Sequence, residues 1–293
     1  MALAIVLGLA SLALAAPSLV ARQAITSLTT AQVSAFKPFS FYASAAYCSP
    51  ASTLAWNCGS NCAANAGFKP VASGGNGNSV QFWYVGYDPT LATVIVGHQG
   101  TDPSEILSLV TDAKFFLKSL NSTLFPGVSS SVEGHSGFVD EQALTASSVL
   151  AAVKTAISRF SAKKVTIVGH SLGGAIALLD SVYLPLHISG VTFRTITYGM
   201  PRVGNQAFAD LASVGSTVTH INNKEDLVPI LPGRSLGFHH PTGEIHIQDS
   251  GVWDSCPGQD NTSDLCTTGD VGNIFEGNSD DHDGPYDGVT MGC

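Results

Sequence analysis

Gly169-His170-Ser171-Leu172-Gly173 is the stretch that decides the fold class of this chain. It follows the apolar run Val165-Thr166-Ile167-Val168 and leads directly into a second apolar run at 174–179, which predicts a strand, a sharp turn and a buried helix. The glycines let strand and helix approach closely, and the turn exposes the serine hydroxyl at a helix N-terminus, where negative charge is stabilised. This strand–turn–helix pattern predicts that Ser171 is a nucleophile.

A nucleophilic serine needs a base that takes its proton and an acid that orients the base. After a strand–turn–helix serine, the expected chain order is serine, acid, histidine. Asp226 follows the β-rich run 218–222, at the point where a strand would open into a loop, and Leu227-Val228-Pro229 then resumes a buried path. Asp226 is therefore the predicted acid, and its neighbour Glu225 is the alternative.

Four histidines follow Asp226 and compete for the role of base. His246 lies in an alternating run that predicts a strand, and His239 and His240 lie in a predicted loop before a proline. His282 lies in the acidic loop 279–284, whose glycine permits close approach to another site and whose charges favour an imidazolium. Spacing alone favours His282 and leaves the other three open.

Predicted strands and helices alternate along the chain. The strands are expected at 80–85, 93–97, 165–168, 192–198 and 218–222, and the helices at 31–47, at 138–160 and after Ser171. This alternation predicts an α/β fold in one domain, with a mostly parallel sheet covered by helices on both faces. In such sheets, reactive groups gather at the carboxyl ends of the strands.

The composition favours a secreted protein and excludes some partners. Hydrophobic residues make up 44% of the 293 residues and charged residues only 12%, against roughly 25% in typical soluble domains. The formal net charge of −9 argues against nucleic acid, which is bound through Lys and Arg, and against anionic membranes.

The N-terminus is predicted to be a targeting segment. Residues 1–15 form an apolar run too short to span a bilayer, and Ala13 and Ala15 offer a cleavage site, so the run predicts a secretory signal peptide. A buried N-terminal helix is the alternative. Residues 16–22 are a candidate pro-segment, residues 23–293 remain as a single domain, and no later stretch is apolar enough to span a membrane.

Six cysteines predict three disulfides in an oxidising compartment, although spacing alone leaves fifteen pairings open. Cys58 and Cys62 are close enough to staple a local loop, as are Cys256 and Cys266, which leaves Cys48 for Cys293. No second cysteine or histidine pair has the ligand spacing of a zinc site, so no metal is predicted. Asn121 and Asn261 begin glycosylation acceptor motifs.

Six motifs follow one another along the chain: His98-Gln99-Gly100-Thr101, Gly134-His135-Ser136-Gly137-Phe138, Gly169-His170-Ser171-Leu172-Gly173-Gly174, Thr197-Tyr198-Gly199-Met200-Pro201-Arg202-Val203-Gly204-Asn205, Asp226-Leu227-Val228-Pro229 with Leu231-Pro232, and Asp281-His282. In this order they resemble the class 3 lipases of fungi, a family that includes triacylglycerol lipases and feruloyl esterases. The resemblance covers the chain from about residue 30 to its C-terminus and implies the α/β-hydrolase fold.

The resemblance also assigns roles to individual residues. It implies a catalytic triad of Ser171, Asp226 and His282, and an oxyanion hole formed by Thr101 and the backbone N–H of Leu172. It supports the disulfides Cys48–Cys293, Cys58–Cys62 and Cys256–Cys266.

The chain departs from the family pattern at two places. His98 and Gln99 stand where the family usually has an aromatic residue and an arginine. The segment from His282 to Gly288 is one residue longer than its family counterpart and lacks a phenylalanine.

The stretch 103–110 lies where family lipases carry a short lid helix. Ile106, Leu107, Leu109 and Val110 would give this helix an apolar face that covers the site in water and turns outward at an oil surface. The alternative is a helix that packs permanently on the core.

The expected function is that of a secreted, monomeric serine ester hydrolase without a cofactor. Its most favoured form is a triacylglycerol lipase that acts at a lipid–water interface through an acyl-enzyme. A feruloyl esterase or general carboxylesterase is the alternative, and an inactive lipid-binding family member is the more remote one.

Overall fold

The computed structural model describes residues 24–102, 105–108 and 116–293. The predicted signal peptide at 1–15, the pro-segment at 16–22, residue 23 and the predicted lid residues Leu109 and Val110 lie outside the described residues. No helix in the described ranges is long and apolar enough to cross a membrane.

The strands form where β-branched and aromatic residues run together, and they build a large and a small sheet. They are β1 Thr26–Ser27, β2 Lys69–Gly74, β3 Trp83–Asp88, β4 Thr93–His98, β5 Leu117–Ser119, β6 Glu133–His135, β7 Lys164–His170, β8 Thr192–Tyr198, β9 Gly204–Asn205, β10 Thr217–Asn223, β11 Phe238–His239, β12 Glu244–Ile247 and β13 Trp253–Cys256. Across the described residues, the large sheet has the order β1-β13-β12-β10-β8-β7-β4-β3-β2.

The centre of the large sheet is parallel, as the alternation of elements predicted. Strands β4, β7, β8, β10 and β12 run parallel to one another, whereas β3 and β2 at one edge and β13 and β1 at the other are added by antiparallel pairing. The register places His98 beside Gly169, and His170 beside Tyr198. The carboxyl ends of β4, β7, β8 and β10 therefore lie side by side at one edge of the fold.

Helices cover both faces of this sheet. They are α1 Thr30–Ser34, α2 Lys37–Ala45, α3 Pro50–Ala55, α4 Gly59–Ala64, α5 Ser136–Phe160, α6 Leu172–His187, α7 Gln206–Gly215 and α8 Thr267–Asp270, with a helical segment at 105–108 and 3₁₀ turns at Val228–Ile230, Arg234–Leu236 and Ser279–Asp281. The alternation of side chains along β4 sends Val94 and Val96 into the core beneath α5 and α6, and Ile95 into the core beneath α2.

One predicted helix and one predicted strand needed correction. The helix expected at 31–47 is two helices, because Pro38 lies in the first turn of α2, where proline starts a helix but cannot continue one. The strand expected at 80–85 begins only at Trp83. The backbone N–H groups of Gln81 and Phe82 instead donate to the side chains of Glu141 and Gln99.

The sequence analysis predicted none of the strands of the small sheet. Its order is β11-β9-β6-β5, and each of these strands has only two or three residues, too few to show a period of two. The disulfides join Cys48 to Cys293, Cys58 to Cys62 and Cys256 to Cys266, so the first of them ties the end of α2 to the C-terminus.

The structure also revises the predicted loop histidines. His239 is part of β11, and His240 is buried and stacks on His220, with ring centroids 4.8 Å apart. His240 Nε2 donates to the carbonyl of Pro229 and His220 Nε2 to that of Pro241. Burial lowers the pKa of His220 to about 4 and that of His240 to about 3. The nearby Asp260 raises both pKa values and Arg202 lowers them, so these two charges do not offset the effect of burial.

This stacked pair makes stability depend on pH. The folded chain keeps both rings neutral, whereas the unfolded chain protonates them near pH 6.5, so their contribution is present above that pH and is lost as the pH falls towards 4. We expect His240→Gln to flatten the decline in unfolding free energy between pH 7 and pH 4.5 by on the order of a few kcal/mol, measured by urea denaturation. An unchanged decline in the variant would contradict this.

Candidate active site

Ser171 lies on the sharp turn between β7 and α6. Its backbone angles are φ 57° and ψ −128°, a combination that costs a non-glycine residue about 1–3 kcal/mol and persists only where the surroundings hold it. Here the Ser171 N–H donates to the carbonyl of Tyr198 over 2.9 Å, and a Cβ at Gly173 would collide with the carbonyl of His98. The fold therefore holds the strained turn from both sides.

Asp226 and His282 form a buried pair beside this turn. His282 Nδ1 lies 2.8 Å from Asp226 Oδ2, and Asp226 Oδ1 accepts the N–H of Val228 over 2.9 Å. Both side chains are fully buried, whereas the alternative acid Glu225 is exposed. Among the described residues, neither His282 Nε2 nor Ser171 Oγ has a hydrogen-bond partner, so both remain free to act on a substrate.

The three alternative histidines are engaged elsewhere. His246 Nε2 binds the carbonyl of Lys224, and His240 Nε2 binds that of Pro229. His239 lies 3.4 Å from a carboxylate oxygen of Asp260. The structure thus brings together Ser171, Asp226 and His282, the set that chain order favoured.

Gly199 leaves the space in which Ser171, Asp226 and His282 come together. It follows the end of β8, which lies between β7 and β10, the strands that lead to Ser171 and Asp226. Its φ is +51°, and a Cβ there would lie 2.9 Å from Asp226 Oδ2 and 3.0 Å from His282 Cε1. Its N–H donates to the carbonyl of Ile221 over 2.9 Å, which fastens the end of β8 to β10. A side chain at this position would separate the acid from the base.

The backbone of His282 is anchored from two directions. Its carbonyl accepts a hydrogen bond from His170 Nε2 over 2.8 Å and another from the Tyr286 hydroxyl over 2.9 Å. The Tyr47 hydroxyl lies 2.6 Å from His170 Nδ1, and it also hydrogen-bonds the backbone of Gly100. One buried chain of hydrogen bonds therefore links the base, the serine turn and the loop that leads to Thr101.

The charges around the two histidines set different protonation states. Burial and the nearby His282 hold the pKa of His170 well below its usual value, so His170 is neutral and serves as a fixed donor. Burial also lowers the pKa of His282, but the charge and hydrogen bond of Asp226, helped by Asp283, raise it above the usual value of about 6.5. His282 is thus tuned to take up a proton.

The expected oxyanion donors lie on the two sides of Ser171. Leu172 is the first residue of α6, so its N–H has no acceptor within the helix and points out at the helix N-terminus. Thr101 follows β4, and its hydroxyl donates to the carboxylate of Glu105 rather than standing free. Thr101 could offer an oxyanion either its hydroxyl or its backbone N–H. Only the hydroxyl would first have to leave Glu105.

The remaining candidate residues lie around this centre or on the surface. Ile106 is fully buried and Leu107 partly buried against the main core. Asn121 is exposed, whereas the amide of Asn261 is engaged with Pro257 and Ser263. In the described part of the chain, one cluster has metal-binding spacing, Glu244 with Cys256 and Cys266, but a disulfide occupies both sulfurs.

Sequence reasoning missed the residues that support the triad. The chain order serine, acid, histidine gives His170 no role, because His170 precedes Asp226, although it lies inside the serine motif itself. Tyr47 precedes Cys48, and its role depends on a contact 123 residues away in sequence, for which no local pattern exists.

Ser171 and Asp226 follow the carboxyl ends of the parallel strands β7 and β10, and His282 reaches them from the C-terminal loop. This arrangement is that of an α/β-hydrolase. The model of the class 3 lipase family matches residues 95–236. A secreted mono- and diacylglycerol lipase of Malassezia globosa is 30% identical over 223 residues, which are 75% of this chain and 71% of the relative.

Solved structures of lipases share the fold over nearly the whole chain. A native lipase–propeptide complex of Rhizomucor miehei superposes with a TM-score of 0.76 at 26% identity, over 92% of this chain and 84% of that one. A triacylglycerol lipase described as having a serine protease triad at its catalytic centre superposes with a TM-score of 0.77 at 25% identity, over 92% and 98%. The chain therefore belongs to the class 3 lipase family, and it is a lipase, a carboxylic ester hydrolase.

The second carboxylate near His282 leads to a prediction about pH. A base must be unprotonated to act, so with His282 as the predicted base the rate is expected to rise with pH as His282 loses its proton. Asp283 helps to raise the pKa of His282, and Asp283→Asn should therefore move the acidic limb of kcat/KM to lower pH by a fraction of a unit. The measurement is the pH–rate profile on a soluble ester at constant ionic strength.

Asp287→Asn is the matched control for this experiment. It removes the same charge four residues later, where the carboxylate lies 3.8 Å from Lys37 Nζ. A limb that stays in place in Asp283→Asn, or that moves equally in both variants, would contradict the assignment.

Proposed function

We propose that this protein is a secreted acylglycerol lipase in which Ser171, His282 and Asp226 are nucleophile, base and orienting acid. The observation that carries the proposal is the 2.8 Å bond from His282 Nδ1 to Asp226, made while His282 Nε2 and Ser171 Oγ lie buried without partners among the described residues. Buried polar atoms normally have hydrogen-bond partners. We therefore infer that the substrate engages these two atoms, with its ester carbonyl at Ser171 Oγ and its leaving oxygen near His282 Nε2.

The mechanism uses two acyl transfers. His282 Nε2 takes the proton of Ser171 as Oγ attacks the ester carbonyl, and the bond to Asp226 holds the imidazole in the tautomer that can accept it. The protonated His282 then gives the proton to the leaving alcohol. Water, activated by the same base, releases the fatty acid from Ser171.

The negative oxygen of each tetrahedral intermediate would be held by the N–H of Leu172 and by Thr101. Loss of one such donor typically reduces turnover by about 10²–10³. The Thr101 hydroxyl is bound to Glu105, and Ile106 is buried in the main core, so the segment at 105–108 is attached both to Thr101 and to the body of the fold. We propose that this segment belongs to the lid and moves when the enzyme meets a lipid surface.

A similar secreted lipase and the disulfides of this chain support secretion. The relative in Malassezia globosa is named a secreted mono- and diacylglycerol lipase, and three disulfides are typical of an oxidising compartment. We propose that residues 1–15 are removed as a signal peptide and that 23–293 form one mature, monomeric domain with a glycan acceptor at the exposed Asn121.

The substrate proposal is tested by the hydrolysis rate as an ester is carried through its solubility limit. We expect the rate on tributyrin to jump once droplets form, because the lid opens there, and methyl ferulate to react little. Dioleoyl- and monooleoylglycerol assayed beside triolein decide which acylglycerols are preferred. A smooth saturating curve with rapid turnover of the ferulate would instead indicate an open esterase.

An exposed aromatic residue lies on the loop that carries the base. Phe275 is 91% exposed and follows the half-exposed Ile274. The loop is docked next to Asp226, because the N–H of Asn278 donates to the carbonyl of the preceding residue Glu225 over 2.7 Å, and it continues directly into His282. Phe275 thus stands on the catalytic side of the sheet, where it can enter a neutral lipid surface.

We expect Phe275→Ser to lower the rate on emulsified tributyrin several-fold while the rate on the same ester below its solubility limit stays unchanged. Burial of a phenylalanine in lipid contributes about 1.5–3 kcal/mol, enough to change adsorption by tenfold or more. Val214→Ser is the control, because Val214 is 82% exposed but precedes β10, at the amino ends of the strands. Equal losses of the rate on emulsified tributyrin in both variants would refute the proposal that the surface around Phe275 faces the lipid.

A further inference from the structure

His98, one of the two departures from the family pattern, is part of a buried polar bridge. His98 Nε2 lies 2.9 Å from Asp180 Oδ2, and both side chains are almost fully buried. Gln142 Nε2 donates to the other carboxylate oxygen of Asp180 over 2.8 Å. We call His98, Asp180 and Gln142 the His98 bridge.

The bridge connects the two elements that carry the expected oxyanion donors. His98 ends β4, and Thr101 follows three residues later. Asp180 lies in α6, two turns beyond Leu172, the first residue of that helix. A hydrogen bond between His98 and Asp180 therefore fixes the end of β4 against the helix whose N-terminus supplies the second donor.

A close backbone contact fixes the same two elements at a second point. Gly173 lies against the carbonyls of His98 and Gln99, and a Cβ there would collide with both. The contact at Gly173 sets how near β4 and α6 approach, and the bond to Asp180 seven residues later fixes their relative rotation. Together, the contact at Gly173 and the bond to Asp180 fix the position of the peptide between residues 98 and 99 relative to α6.

Gln99, the other residue of this departure, holds the same turn from the opposite side. Its N–H donates to the carbonyl of Phe82 over 2.8 Å, and its side-chain oxygen accepts the N–H of Phe82 over 2.7 Å. This pair of bonds extends the ladder between β3 and β4 by one residue. The turn into Gly100 and Thr101 thus starts from a backbone that is held on both edges.

We propose that the His98 bridge is a positioning device that sets the separation of the Thr101 and Leu172 donors. It rests on the proposed function, since it acts only through the oxyanion hole. A buried polar bridge adds little net stability, and apolar residues of similar volume often replace one without loss, so stability does not explain its presence. Oxyanion donors, in contrast, work only at about 2.7–3.1 Å from the developing charge.

The test replaces the whole bridge by apolar residues of similar total volume, His98→Phe with Asp180→Ala and Gln142→Leu, so that no buried polar group is left unpaired. We expect this triple variant to remain folded and to lose at least tenfold in kcat on soluble p-nitrophenyl butyrate, with KM within twofold of the wild type. The inhibition constant of butylboronic acid, whose adduct carries a negative tetrahedral centre, should rise by a similar factor.

Asp180→Asn is the second variant, in case the triple variant does not fold. It replaces the charged acceptor of His98 by a neutral amide, whose NH2 can pair with the unpartnered Oε1 of Gln142. The bond to His98 is then weakened but not removed, so a smaller loss of kcat is expected with the same unchanged KM. A folded triple variant, or a folded Asp180→Asn, with wild-type kcat and wild-type boronate inhibition would overturn the proposal.

Tyr42→Phe is the matched control. It removes a buried 2.6 Å hydrogen bond to the carboxylate of Asp88, which pairs with Thr93 at the opposite end of the same strand pair. We expect it to lower stability without changing kcat or boronate inhibition. If the wild type itself fails to hydrolyse esters, the proposed function is wrong; if the wild type is active and the bridge variants match it, only the bridge proposal fails.

Discussion

The strained turn at Ser171 is the constraint on which the rest of this structure depends. A serine at φ 57° and ψ −128° persists because β7 and α6 are held close by small residues and because the Ser171 N–H is bound to the end of β8. The same closeness leaves the N–H of Leu172 free at the helix N-terminus, beside the hydroxyl. The proposed nucleophile and one proposed oxyanion donor are therefore two consequences of one piece of backbone geometry.

The other side chains of the proposed triad reach this turn from distant parts of the chain. Asp226 follows β10, two strands away from β7, and Gly199 keeps the intervening strand end clear. His282 arrives from the C-terminal loop, which is tied down by the Asn278–Glu225 bond, by the two donors to its carbonyl and by the Cys48–Cys293 disulfide. The site is thus assembled by long-range ties on a locally determined turn.

This division explains what the sequence predicted. The parallel core, α5 and the turn at Ser171 follow from local periodicity and glycine placement, and chain order favoured Asp226 and His282. The sequence could not predict the short strands of the small sheet or the burial of His240, because each depends on contacts remote in sequence. The break between α1 and α2, in contrast, follows from Pro38, a local signal that the prediction of one continuous helix did not use. The partners of His98 were hidden for the same reason, since Asp180 and Gln142 lie 82 and 38 residues away from the groups that they bind.

The central claim is that the unpartnered Ser171 hydroxyl is the nucleophile of this lipase. The most direct test treats the folded protein with an alkyl fluorophosphonate and maps the modified peptide by mass spectrometry. The account predicts a single adduct on Ser171, no adduct in Ser171→Ala, and much slower labelling in His282→Ala. An adduct on another serine, or a folded wild-type protein that is not labelled, would contradict it.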